Sequence, residues 1–255
     1  MRSQALVDYH APLRSASPQG SMSDASGDFA PYFHSQQVDP AVDTSLMLAA
    51  WALRFEVYCG ECGFLPGDDY PDGLESDERD SISAHFCAYD RETRIAGYVR
   101  LVRADSEGIF PFQTHCSGLF NPQALPDPRV CAEISRLMVH HRYRRRRGDT
   151  LAGVNLSDEA RPVAERRDDS PQIMLSLFRQ MYRFCLDNEI RYWYAAMERP
   201  LARAMHRLGF AFRCIGEETD YYGPVAPYLA DLRELEVEVG RARPALLEWL
   251  RPLEV

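Results

Sequence analysis

Apolar residues recur at helical spacing along three stretches of the chain. Leu46, Ala49, Ala50, Leu53 and Val57 share one face of a helix reaching about Tyr58. Asp39-Pro40 ahead of them, a capping acid with proline in the first turn, predicts where that helix starts. Ile173, Met174, Leu177, Met181 and Phe184 form a second stripe, opened by Ser170-Pro171. A third, short helix runs over 199–208 and is closed by Gly209, a residue that accepts the left-handed cap. Extended segments are predicted over 83–89 and 95–102, joined by residues 90–94 as a hairpin, then near 131–140, 190–197 and 210–215. From Tyr228 onward the pattern is helical in parts and interrupted at Pro244. Residues 60–80, rich in Gly, Pro and Asp, predict loop, and 110–128 a Pro-rich connection. Residues 1–27, polar and without period, predict a mobile tail, leaving one α+β domain over 28–255.

Composition narrows the class. A chain of 255 residues with 45% hydrophobic residues can bury a core without disulfide or metal staples. Its longest strongly apolar run, residues 46–53, is far too short to span a bilayer, and the first 27 residues hold no secretory core. A soluble, cytoplasmic protein is expected. Twenty-nine basic against 38 acidic residues give a net charge of −9, which argues against nucleic-acid binding. Seven irregularly spaced cysteines fit a reducing compartment. Cys59-Gly-Glu-Cys62 stands alone without a second pair or a histidine at ligand spacing, and reads as thiols around a helix end; no metal is expected.

The charges are unevenly spread. Asp68, Asp69, Asp72, Glu75, Asp77, Glu78 and Asp80 crowd one segment, and Arg142 with Arg144, Arg145, Arg146 and Arg147 another. On its strand Arg100 shares a face with Ala96, Tyr98 and Val102, so a charge points where apolar side chains point. A buried guanidinium needs carboxylate partners, and Asp77, Asp80 and Glu133 are the candidates. Glu133 and Arg136, three apart, take opposite faces of an unbroken strand and line one site only if a β-bulge intervenes. Bland readings stand beside each of these. Arg54 could snorkel from its helix, the acidic run could be a solvated face, and Glu133 with Arg136 a structural ion pair.

In order and spacing, Arg54, Tyr58 and Phe64, then Asp77 and Asp80, then Arg100, then Glu133-Ile-Ser-Arg136 resemble the acyl-homoserine-lactone synthase signature. The long-chain N-acyl amino acid synthases share that layout. The segment from Glu198 to Phe210 resembles the closing helix and strand of the GCN5-related N-acetyltransferase (GNAT) fold, and the chain most resembles the PEP-CTERM/exosortase-associated acyltransferases of that group. The resemblance spans about residues 28–230 by scattered positions. It implies an α+β, GNAT-like fold, a mixed central sheet with a β-bulge flanked by helices. It also implies an enzyme moving a long-chain fatty acyl group from acyl carrier protein or acyl-CoA to the amine of a small amino-acid-like acceptor. The thioester is then a co-substrate, with no tightly bound cofactor. Glu133 would act as base, with Arg136 and Arg100 beside it. Asp77 and Asp80, with Arg54, Tyr58 and Phe64, would hold the acceptor, and a backbone N–H among Leu137, Met138 and Val139 would meet the oxyanion. Arg142, Arg144, Arg145, Arg146, Arg147 and Gly148 lie where GNAT enzymes carry a pyrophosphate loop, with Thr150 in place of its second glycine. The same arginines suit an acidic carrier protein. Met205 stands where many GNAT enzymes have a tyrosine acid. A lactone synthase using S-adenosylmethionine, and a non-catalytic module binding an acyl carrier, are the competing readings.

Overall fold

A computed structural model describes residues 29–144, 152 and 171–252. The tail expected over 1–27 lies outside these residues. Strand β1, Phe33–Val38, leads into helix α1, Thr44–Phe55, which continues as a π-helix, Glu56–Glu61. The strand was not predicted, because Phe-His-Ser-Gln-Gln-Val offers little apolar alternation. Asp39-Pro40 does not start the helix. Asp39 Oδ1 accepts the Ala41 N–H at 2.9 Å and Asp43 Oδ2 accepts the Asp39 N–H at 3.1 Å, so the acids build a turn and α1 begins after it.

Strands β2, Ser83–Asp90, and β3, Ile95–Val102, form the expected hairpin, and β3 pairs antiparallel with β4, Cys131–Val139. Helix α3, Gln172–Asp187, strand β5, Tyr192–Met197, and helix α4, Arg199–Arg207, follow, with the short helix α2, Pro111–His115, lying before β4. Only Arg213–Cys214 (β6) of the strand expected over 210–215 is extended, since the Phe210 N–H turns back onto the Met205 carbonyl at 3.0 Å. After β7, Thr219–Asp220, strand β8, Pro224–Asp231, occupies the start of the segment read as helical; α5, Leu232–Ala242, begins where Asp231 caps the Arg233 N–H, and α6, Pro244–Leu250, follows the proline.

The strands form one mixed sheet in the order β1-β2-β3-β4-β5-β8-β6, with β7 on β8, and β4–β5 is its parallel pair. Alternation along the strands sorts two cores. Cys87, Tyr89, Tyr98 and Met138 meet α1 on one face, and Phe86, Ala88, Val99 and Leu101 meet α3 to α6 on the other. Ala96 belongs to the α3 side, not beside Tyr98 as the simple alternation predicts, because the hairpin register shifts at Ala88/Tyr89. Contact with α3 is close: a Cβ on Gly97 would lie 2.6 Å from Ile173 Cγ2.

Two irregularities open the sheet. β4 pairs with β5 only from Cys131 to Glu133, and beyond that the strands part. There Val99 on β3 faces both Arg136 and Leu137, a β-bulge, and Arg136 takes φ +56°, a left-handed conformation that costs an arginine about 1–2 kcal/mol.

Candidate active site

The bulge does what the spacing required of it: Glu133 and Arg136 both line the cleft between the parted strands. Behind its floor lies a buried ionic cluster. Arg54 Nε donates to Glu75 Oε2 (2.5 Å) and Nη1 to Asp80 Oδ1 (2.7 Å). Arg100 grips Asp77 with both terminal nitrogens (2.6 and 2.8 Å) and reaches Asp80 Oδ1 (2.5 Å). Arg136 spans Glu75 (3.0 and 3.2 Å) and Asp77 (3.2 Å). Three guanidiniums thus face three carboxylates, and the cluster balances. Arg54 and Glu75 are fully buried, an arrangement tolerable only because every charge meets its opposite. Burial pushes the Asp77 carboxyl up, but the Arg100 hydrogen bonds outweigh it and hold the group at about 2. Glu75 and Asp80 are lowered in the same way, against burial, by Arg54 with Arg136 and by Arg54 with Arg100.

Local sequence aims these groups. Asp77 and Asp80 are the two ends of a capping box on a 3-10 turn, Glu78–Ile82. Asp77 Oδ1 accepts the Arg79 N–H and Asp80 Oδ2 the Asp77 N–H, each at 3.0 Å. The three-residue spacing therefore turns both carboxylates to one side. It also leaves each of their oxygens engaged by Arg54, Arg100, Arg136 or the backbone, so the aspartates brace the arginines. His85 and Tyr98 extend the cluster. Tyr98 donates its O–H to His85 Nδ1 (2.7 Å) and His85 Nε2 donates to the Asp80 carbonyl (3.0 Å).

Glu133 stands apart from the arginines it was expected to partner. It is buried, and Oε2 accepts the Phe112 N–H at 2.8 Å from the first turn of α2. Burial pushes this carboxyl up to about 7, with Phe112, Arg100, Arg79 and Arg136 acting against the rise. Arg136 lies over the Tyr58 ring at 4.6 Å and the Tyr222 ring at 5.6 Å, and Phe64 completes the aromatic group 5.8 Å from Tyr58 and 5.7 Å from Tyr222. Phe178, Ala195, Met197 and Met205 supply an apolar wall from the 173–205 region.

Of the three residues expected to offer an oxyanion N–H, Leu137 sits at the bulge on the cleft wall, while Met138 and Val139 are buried in register with Tyr98 and Gly97. Arg142 lies on a 3-10 turn, His141–Tyr143, and Arg144 pairs with Glu61. Arg145, Arg146, Arg147 and Gly148 lie outside the described residues. Cys59 and Cys62 are free thiols in and just after the π-helix. Sequence reasoning missed Glu75, His85 and Tyr222 as site residues. Glu75 had a signal, two residues before Asp77; Tyr222 had none, reaching Arg136 only through the fold.

Residues 53–153 match the model of the acetyltransferase (GNAT) domain. No curated protein matches the chain. Among solved structures, a CoA-dependent acyl-homoserine lactone synthase, BjaI, with SAM and isopentyl-CoA, is 18% identical; the match covers 86% of this chain and 98% of that one with a TM-score of 0.56. The AHL synthase LasI is 15% identical over 83% of this chain and 94% of its own, TM-score 0.57. TofI, in a ternary complex with an inhibitor and MTA, is 15% identical over 84% and 99%, TM-score 0.56. No helix among the described residues is long and apolar enough to cross a membrane. Mixed sheet, bulged fourth strand, parted β4 and β5 and the matched domain together give the chain the GNAT fold, in the α+β class.

Proposed function

We propose that the protein is an N-acyltransferase that moves a long-chain fatty acyl group from acyl carrier protein or acyl-CoA to the amine of a small amino-acid-like acceptor. The observation that carries this reading is Glu133, a carboxylate poised near 7 on an otherwise largely apolar cleft. Amide formation from a thioester needs a neutral amine. The amine nitrogen attacks the carbonyl carbon, its proton passes to the Glu133 carboxylate directly or through water, and the C–S bond breaks to release a thiolate. The Phe112 N–H holds the accepting carboxylate in place, and the bulge at Leu137 offers a backbone donor to the carbonyl oxygen. Arg136, fixed from behind by Glu75 and Asp77, presents a cation to an acceptor carboxylate. The apolar wall around Phe178 and Met205 suits an acyl chain. The finer placement beside the PEP-CTERM/exosortase-associated acyltransferases rests on sequence resemblance.

Lipid extracts of cells overproducing the chain should contain an N-acylated amine by mass spectrometry, absent with Glu133→Gln. An unchanged product with Glu133→Gln would remove Glu133 as base, and no acylated product from either thioester donor would overturn the reading. The second reading, a lactone synthase, draws on the similarity to BjaI, LasI and TofI. Release of methylthioadenosine from S-adenosylmethionine would select it over simple amide formation.

A further inference from the structure

On the outer side of the π-helix, away from the proposed chemistry, three metal-ligating side chains meet. His141 Nδ1 lies 2.6 Å from Glu56 Oε1, and His140 Nε2 lies 3.6 Å from Glu56 Oε2. The rings of the two histidines stack at 4.4 Å. One ligand atom from each of the three residues falls within 4.8 Å of the others. Donors around a tetrahedral ion with bonds of about 2.1 Å stand roughly 3.4 Å apart, a spacing that lies within the range of separations seen among these three groups. A second carboxylate is at hand as a fourth ligand, Glu61 Oε1 at 3.9 Å from His141 Nδ1. The π-helix is what provides it. With i→i+5 hydrogen bonds, as from the Cys62 N–H to the Val57 carbonyl at 2.9 Å, residues five apart stand on one side, and both Glu56 and Glu61 face the His141–Tyr143 turn.

We propose that Glu56, His140 and His141 form a binding site for a divalent transition-metal ion of the zinc type, with Glu61 able to enter as a fourth ligand. Two imidazoles with a carboxylate suit zinc, cobalt or nickel and disfavour magnesium and calcium, which take all-oxygen sets. His141 is 55% exposed on its side chain, so an ion has access. Existing bonds oppose binding: the His141 Nδ1 contact with Glu56 Oε1 must open, and Arg144 already pairs with Glu61. His140 Nδ1 accepts the Arg142 N–H at 3.2 Å, which puts the ring proton on Nε2; coordination at Nε2 moves that proton to Nδ1 and gives up this long hydrogen bond. The bound ion would tie the π-helix, with Tyr58 on its inner side, to the exit of β4.

The test is calorimetric titration of the full chain with zinc chloride, with cobalt(II) absorption as a second readout. One equivalent should bind saturably. His141→Ala and Glu56→Gln should each weaken it at least about tenfold, a loss of the size expected for one ligand or its support. His206→Ala, on an exposed helix end, and a Cys59→Ser/Cys62→Ser chain should bind as before. Excess zinc should raise the melting temperature of the parent chain and not of His141→Ala. Absence of saturable binding, equal affinity in His141→Ala and Glu56→Gln, or loss of binding in the cysteine variant would each overturn the site. The readouts are independent of acyl transfer, so failure of the proposed activity leaves the test intact.

Discussion

Glu133 and Asp77 are displaced in opposite directions, and the signs separate what they do. The Glu133 carboxyl titrates near 7 in the fold against an ordinary value of 4.5, so the folded chain holds the extra proton between them and loses stability as pH climbs through that window. Above it the ionised carboxylate costs on the order of 3 kcal/mol. Glu133→Gln should therefore raise the urea midpoint at pH 8 and change it little at pH 4, while abolishing acylation; no stabilisation at pH 8 would show that the carboxyl is not held high. Parent activity should climb as pH rises through about 7, where the base becomes ionised. Asp77, held at about 2, contributes stability above its ordinary 3.8 that is lost as pH falls from 3.8 toward 2. Asp77→Asn leaves Arg100 and Arg136 short of a counter-charge and should cost about 3–5 kcal/mol at pH 7 in chemical denaturation. A loss below about 1 kcal/mol would mean that the cluster is solvated.

At the scale of elements, the hairpin, β4, α3, β5 and α4 were legible because their apolar residues repeat at strand or helix period over one buried face. The end of α4 illustrates how sharply a turn residue can be read. Gly209 has φ +90°, and a Cβ there would lie 2.9 Å from Val239 Cα in α5. Gly209→Ala combines backbone strain with a clash against a rigid helix, and should cost on the order of 2–4 kcal/mol in thermal or urea unfolding. A neutral result would mean that α5 yields. Elements whose cues are not periodic escaped. β1 has polar residues at the sheet edge, Asp39-Pro40 carries a helix-start signal spent on a turn, and a π-helix has no residue signature. The site divides in the same way. Arg54, Asp77, Asp80, Arg100, Glu133 and Arg136 were found from motif order and from a charge on an apolar strand face. Their pairing was legible in part: Arg100 meets Asp77 and Asp80 as expected, but Glu133 binds Phe112, and Glu75, which joins Arg54 to Arg136, was not foreseen. Such choices are made by loop packing over separations of 21 and 61 residues, which no local pattern encodes.

The whole molecule sets a condition on the proposed donor. With 29 basic and 38 acidic residues the chain is net negative, and an acidic carrier protein meets repulsion from it at long range. Attraction must be local, and the sequence concentrates it in Arg142, Arg144, Arg145, Arg146 and Arg147. At physiological salt the Debye length is about 8 Å, so the distant negative charge is largely screened while close contacts to the arginines survive. Two opposed fields then predict a particular salt response. Carrier affinity should rise or hold level as salt first screens the net repulsion, and fall once the local pairs are screened. Reversing Arg145, Arg146 and Arg147 to glutamate removes the attractive part. Affinity for the acylated carrier should then drop at least about tenfold, and what remains should increase with salt. Kinetics with free acyl-CoA provide the control, since a thioester without the protein has no such docking surface. If kcat/KM for acyl-CoA falls as far as for the carrier, the arginines serve the phosphates of the coenzyme and the carrier is not the donor they select.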